Sequence, residues 1–177
     1  MGMTMILDGS AGVTYPVVAG SSSAIQASSA KVIQVATSAT GALATGTTTI
    51  PFDDTIPQIT EGTEFMTLAI TPSSATNTLI IQVTLQIGGT AADWTTVALF
   101  QDSTANALAA TTSNLTANYG SPQTFTYKMT AGTTSSTTFR VRAGAGSAGT
   151  VTVNGSASAR KFGGVLASTM TIYEVAG

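Results

Sequence analysis

The sequence predicts an all-β fold, an antiparallel sandwich or jelly roll behind an extended N-terminal arm, and three observations predict it. Residues 78–89, TLIIQVTLQIGG, alternate cleanly, with Leu79, Ile81, Val83, Leu85 and Ile87 on one face and Ile80, Gln82, Thr84 and Gln86 on the other. A helix would scatter those five aliphatics around its circumference. Turn signals also recur at short intervals and divide the chain into nine or ten strand-like runs, the spacing of a sandwich or jelly roll. Finally, only 8% of the 177 residues are charged, and 34 Thr and 18 Ser fill the gap. Thr is β-branched and suits a pleated surface, so hydroxylic solvent faces favour sheet over helix.

Residues 1–30 form the arm. Ile6, Leu7, Val13, Tyr15, Val17 and Val18 are interrupted by Asp8-Gly9, Gly12 and Pro16, and residues 20–30 are Ser and Ala with little to bury. So few apolar side chains among so many turn residues cannot close a core, and the arm is expected to order only by packing on something else.

The globular part, residues 31–177, is expected to open with a strand at Val32, Ile33 and Val35. A turn-rich connection over 37–46 and a short strand over 47–50 follow. Pro51 and Pro57 remove backbone donors and mark an irregular crossing. Alternation resumes over 63–71 with Met66, Leu68 and Ile70 inward, and Pro72 ends it. Burying the five aliphatics of residues 78–89 contributes on the order of 7–15 kcal/mol as an upper bound, which makes this the central strand.

Beyond Gly88-Gly89 and Asp93, residues 94–101 form a strand that is apolar on both sides at Val97, Ala98, Leu99 and Phe100. Cover on both faces implies a sandwich rather than one open sheet. Residues 105–111 continue as a strand of small side chains, and 113–122 read as a longer loop. Phe125, Tyr127 and Met129 alternate with Thr126 and Lys128 over 124–130, while Phe139 and Val141 point inward and Arg140 and Arg142 outward over 137–143. A Gly-rich tip over 144–149 precedes strands over 150–153 and 169–175, the last with Met170 and Ile172 inward. No segment keeps a 3.6-residue period over three turns, and no repeat of the length of a solenoid or propeller unit recurs.

Composition narrows the function classes. A net charge of −2 with six scattered basic residues leaves no electrostatic footprint for nucleic acid. The absence of Cys and His removes disulfides, thiolate chemistry, Cys-rich zinc sites and the commonest general base. No stretch nears the roughly 20 apolar residues that cross a bilayer, and the start lacks the basic and apolar regions of a signal peptide. The expectation is therefore a chain folded in a cytoplasm, without membrane insertion. No enzyme and no cofactor are expected. Nothing places a Ser beside Lys31 or Lys128, and Asp53 and Glu61 show no reason for the raised pKa that glycoside hydrolysis needs.

The candidate contacts are few. Asp53, Asp54, Glu61 and Glu64 are oxygen ligands that suit Ca²⁺, but their spacing matches no calcium loop, so a solvated loop and no metal is the expectation. Trp94 can stack on a sugar ring while Asp93 beside it accepts the sugar's hydroxyl hydrogens, although a Trp that opens a strand is more often core. Asn118 and Tyr119 lie in the long loop, where rigid β scaffolds carry recognition. Arg160 and Lys161, in a Gly- and Ser-punctuated connection, and Arg140 with Arg142 can meet an anionic sugar or phosphate, with solvent or intersubunit pairing the favoured reading. Asn114-Leu-Thr116 and Asn154-Gly-Ser156 match the glycosylation acceptor pattern by chance.

Two stretches resemble known proteins. Residues 6–16, ILDGSAGVTYP, resemble the short leader of bacteriophage tail-fibre and related virion proteins, where a hydrophobic-Asp-Gly turn precedes Gly-Val-Thr-aromatic-Pro. The body is similar to a β-rich module of phage and prophage structural proteins through GTTTIPFDDTIPQITEGTEFMTLAITPSSATNTLIIQV, ALFQDSTANALAA, YKMTAGTTSSTTFRVRAG and ARKFGGVLASTMTIYEV. The resemblance implies a jelly-roll-like head that forms a homotrimer. It also implies that the arm docks on other virion proteins through Ile6, Leu7, Val13, Tyr15 and Val17. The implied function is a non-enzymatic virion component assembled in the host cytoplasm, a short tail fibre or receptor-binding protein whose distal loops touch a host surface polysaccharide. A capsid decoration or head-fibre protein is the alternative, and a polysaccharide-processing enzyme the third reading.

Overall fold

Thr78–Gly89 is a strand with the bounds its alternation predicts, and Leu79, Ile81, Val83, Leu85 and Ile87 are each at most 1% exposed. The computed structural model describes residues 31–177 and the backbone of two short strands ahead of them, β1 (Leu7–Asp8) and β2 (Gly12–Val13), which pair with each other. The body continues with β3 (Val32–Thr40), β4 (Ala44–Gly46), β5 (Thr63–Ile70), β6 (Thr78–Gly89) and β7 (Asp93–Gln101). Then come β8 (Ala109–Leu115), β9 (Gly120–Thr130), β10 (Thr137–Ala145) and β11 (Val151–Val153). A small hairpin, β12 (Gly155–Ser156) and β13 (Ala159–Arg160), precedes β14 (Ser168–Val175). Of the docking residues, Ile6, Tyr15 and Val17 lie outside the described residues, and for Leu7 and Val13 only the backbone pairing is described.

Four antiparallel pairs nest inside one another: β3 with β14, β5 with β10, β6 with β9, and β7 with β8. The chain is thus one long hairpin whose tip is the β7–β8 connection. Further pairing of β14 with β6 and of β10 with β7 rolls that hairpin into two sheets, β3-β14-β6-β9 and β5-β10-β7-β8. Numbered along the chain, the eight long strands stand in the orders 1-8-3-6 and 2-7-4-5, which is a jelly roll. β11 takes the place of β14 beside the last residues of β6, and β4 pairs outside it. The core between the sheets collects the inward residues of both, among them Leu79, Val97, Phe139, Val141, Met170 and Ile172.

β7 is buried on both faces for a reason that alternation alone does not supply. Its inner face looks onto the other sheet, while Ala98 and Phe100 on its outer face pack with Ile50 beneath residues 47–62, which cross the outside of the sheet. Single hydrogen bonds hold the crossing down: Ile50 N–H donates to Ala145 O at 3.0 Å, Ile59 N–H to Ala105 O at 2.7 Å, and Ala107 N–H to Pro57 O at 2.9 Å. Gly144 lets the crossing lie this close, since a Cβ there would stand 2.6 Å from Thr48 O and 2.7 Å from Ile50 N.

Several boundaries correct the sequence expectation. Residues 47–50 are not a strand, because isolated bonds rather than a ladder fix them. β3 runs on to Thr40; its inward positions after Gln34 are Ala36 and Ser38, too small to signal a strand by hydropathy, and register with β14 decides instead. β8 begins at Ala109 rather than 105 and continues to Leu115, since residues 105–107 turn aside to bond with the crossing. The long loop of 113–122 shrinks accordingly to residues 116–119, and the Gly-rich tip starts at Gly146 because β10 extends to Ala145.

At the end of the sandwich where β3 begins, called proximal here, lies a fully buried acid, Glu174. Its Oε1 accepts from Asn77 Nδ2 at 2.6 Å, Ser73 Oγ at 2.7 Å and Ser73 N–H at 2.8 Å, and its Oε2 accepts from Gln34 Nε2 at 2.6 Å. Burial works against its charge, yet the hydrogen bonds of Asn77, Ser73 and Gln34 outweigh it and lower the carboxyl from 4.5 to about 2. One carboxylate therefore ties the β5–β6 connection to both terminal strands of the body.

Candidate functional site

The opposite, distal end carries Asp93, Trp94, Asn118, Tyr119, Arg160 and Lys161. Antiparallel register brings the β6–β7, β8–β9 and β10–β11 connections and the β12–β13 hairpin together there. Within that end the candidates separate into two groups.

Asp93 and Trp94 open β7 on the side of the crossing. Asp93 Oδ2 accepts from Ser147 N–H at 2.7 Å and Ser147 Oγ at 2.8 Å, and Oδ1 accepts from Trp94 N–H at 2.7 Å. The Ser147 hydroxyl is the main reason that this carboxyl lies below its usual range. Its hydrogen-bonding capacity thus goes first to stapling the β6–β7 and β10–β11 connections. Trp94 is 37% exposed, and Phe52 from the crossing stacks on it with ring centroids 4.3 Å apart and planes 5° from parallel. Beside this stack is a hollow of about 230 Å³ floored by Thr96 and Thr111 and edged by Phe52 and Asp53.

Asn118, Tyr119, Arg160 and Lys161 gather on the other side. Asn118 takes the left-handed conformation, φ 66°, that the four-residue turn demands, and its N–H donates to Gly89 O at 2.8 Å. Its carbonyl accepts from Ser156 Oγ, which joins this turn to the β12–β13 hairpin, and Tyr119 beside it is exposed. The hairpin turns through Ala157 and Ser158, both at positive φ, 50° and 59°, the twist that a two-residue connection needs. Buried Asn154 pins its base. Nδ2 donates to Thr40 O at 2.8 Å and to Ala42 O at 2.9 Å, and Oδ1 accepts from Ser168 Oγ at 2.7 Å. With that amide buried and bonded, Asn154 presents no glycosylation acceptor. Arg160 and Lys161 are exposed where the hairpin leaves, and Lys161 joins Gln86, Ser121, Ser156 and Phe162 among others in lining a groove of about 200 Å³.

The acids of residues 53–64 do not converge. Asp53 accepts from Thr55 N–H at 2.9 Å and Thr55 Oγ1 at 2.6 Å, a local turn whose hydroxyl bond above all holds its carboxyl below the usual range. Glu61 Oε2 accepts from Gln58 N–H at 2.9 Å. Glu64 pairs with Arg140 at 3.1 Å and Arg142 at 3.4 Å on the outer face of the sheet. The two arginines thus find a partner within their own chain. Among the described residues no three metal-ligating side chains meet.

No family model matches this chain. No curated protein matches it either. Among solved structures it is similar to the Eiger TNF of S. frugiperda, at 9% identity and a TM-score of 0.43, over 82% of this chain and 94% of that one. It is also similar to the VP2 subviral particle of infectious bursal disease virus, at 14% identity and a TM-score of 0.34, over 82% of this chain and 39% of that one. The jelly roll itself rests on strand order and register.

Phe52 and Phe162 are the site residues that sequence reasoning missed. Each sits in an irregular segment where no period assigns a side chain to a face. The available signal was weak: an aromatic beside Pro51 in one case, and beside Lys161 and two glycines in the other.

Proposed function

We propose that this chain is a non-enzymatic virion structural protein, a short tail fibre or receptor-binding protein that forms a homotrimer. Residues 1–30 dock it on other virion proteins, and its distal loops bind a host surface glycan. The observation that carries this reading is the polarity of the body. The arm joins at Lys31, where Ala176 N–H donates to Lys31 O at 2.9 Å at the proximal end, and the exposed Tyr119, Trp94, Arg160 and Lys161 all lie at the distal end. A docked arm therefore leaves the recognition loops pointing away from the particle. Three such heads on one axis raise effective affinity by avidity without any new contact.

The resemblance to phage structural proteins supports the virion setting, and a surface of hydroxyls with little charge suits a particle exposed to varied media. The purified chain is expected to adsorb to host cells and block infection, and deletion of residues 2–30 to abolish attachment to particles while leaving the folded head. Labelling spread over the capsid instead of the tail, with no cell adsorption, would sink the adhesin reading.

Trimer formation makes its own prediction. β3 is an edge strand, and Val32, Ile33 and Val35 on it are exposed, an apolar edge of the kind that association covers. Ile33→Lys combined with Val35→Lys is expected to shift sedimentation from trimer to the 17.7 kDa monomer without loss of sheet signal. A trimer unaffected by both lysines would place the interface elsewhere.

A further inference from the structure

We infer that the groove between the start of β9 and residues 154–166 takes a sugar unit that bears a carboxylate; this names the ligand class for the glycan contact proposed above and rests on that reading. At about 200 Å³ the groove is smaller than the roughly 300–1,000 Å³ of pockets for drug-sized ligands, so it admits one ring of a chain that continues into solvent. Its floor is backbone. A Cβ on Gly120 would lie 3.2 Å from Ile87 O, and one on Gly88 would lie 3.1 Å from Gly155 O, so side chains there would crowd the strands that form the base.

Three features give the groove a chemical preference. Phe162 is 76% exposed and holds φ 51°, followed by Gly163 and Gly164 at φ 63° and 101°. A bulky residue in the left-handed region costs on the order of 1–3 kcal/mol. That conformation keeps a phenyl ring at the rim of the groove instead of in the core, where it can take the C–H face of a sugar. Next, Lys161 and Arg160 have no ion-pair partner among the described residues, whereas Arg140 and Arg142 share Glu64. Lys161 lines the groove and brings to it a positive charge that no acid among the described residues offsets, and a carboxylate on the sugar accepts a charge-assisted hydrogen bond from its ammonium. The wall is also fixed in advance, because buried Asn154 locks the base of the hairpin and Ser156 is tied to the Asn118 turn, so little ordering accompanies binding. A neutral sugar would leave the ammonium unmatched. A polyol phosphate would satisfy it but offer no ring to Phe162.

The test titrates the full chain with oligosaccharides ending in uronic or sialic acid, with their carboxyl-reduced neutral counterparts, and with polyglycerol phosphate. The acidic sugars are expected to bind about tenfold or more tightly than either comparison ligand, with the margin shrinking as salt rises. Lys161→Ala should erase the preference for acid, Phe162→Ala should weaken acidic and neutral sugars alike, and Lys128→Ala, a cation elsewhere on the surface, should change neither. All three side chains are exposed, so melting curves should match the parent and separate binding from folding. Equal affinity for acidic and neutral sugars, tighter binding of polyglycerol phosphate, or a preference that survives Lys161→Ala overturns the assignment. If the chain adsorbs to cells yet no acidic sugar binds, the groove is wrongly assigned and the adhesin stands. If acidic sugars bind as expected but cells do not, the adhesin reading falls and the groove stands.

Discussion

Replacing Phe139 by alanine is expected to lower stability by roughly 3–5 kcal/mol. The side chain is fully buried on β10, a central strand of its sheet, with Leu68 of β5 opposite on one side and Gln101 of β7 on the other. Strands held in register on both sides cannot close over the gap, so the loss combines the transfer energy of the ring with a cavity that persists. For a chain of this size each kcal/mol moves the melting temperature by about 2–4 °C, and the variant should melt roughly 6–20 °C below the parent. Thr126→Ala, on the outer face of the other sheet, is the control and should stay within about 0.5 kcal/mol of the parent. Equal melting of the two variants would show that the inward face has been misassigned.

Glu174→Gln is expected to be the next largest loss, and it carries a pH signature. The folded carboxyl titrates at about 2 against 4.5 when unfolded, a difference worth about 3 kcal/mol at neutral pH. Because the folded pKa is depressed, this stability is fully present above 4.5 and is lost as the pH falls through about 2, below which both states are protonated. The parent should therefore lose melting temperature steeply across that window while Glu174→Gln loses less. The two curves should be well separated at pH 7 and converge near pH 2. Glu174→Leu goes further at pH 7, since it leaves Asn77 Nδ2 and the Ser73 hydroxyl without their acceptor. A constant gap between parent and Gln variant from pH 7 to 2 would show that the carboxylate is not charged in the fold.

Glu174 shares the inward parity of Met170 and Ile172, but the sequence expectation stops at those two because a carboxylate gives no hydrophobic signal. What parity could not supply was its set of partners, which come from Gln34, Ser73 and Asn77. The crossing over β7 was legible only as an absence of period between Pro51 and Pro57. That it covers Ala98 and Phe100 from outside depends on Gly144 and on hydrogen bonds to Ala105 and Ala145. Of the candidate contact residues, the exposure of Asn118 and Tyr119 was legible because they lie in a turn between strands. The two phenylalanines were not, because a ring in an irregular segment has no face until the fold gives it one.

The sequence by itself determined the class of the molecule: strands of alternating aliphatics, hydroxyl-coated and weakly charged solvent faces, and neither cysteine nor histidine. It set the bounds of β6, because a strand buried on one face writes its period into the chain. Only the tertiary structure decided which strand lies beside which, that Glu174 closes the proximal end, and that Lys161, Phe162 and Ser156 meet around one groove. The physical reason is that strand periodicity is local, while pairing partners and loop clusters depend on backbone hydrogen bonds between residues far apart in the chain, which leave no mark on the spacing of side chains within either strand.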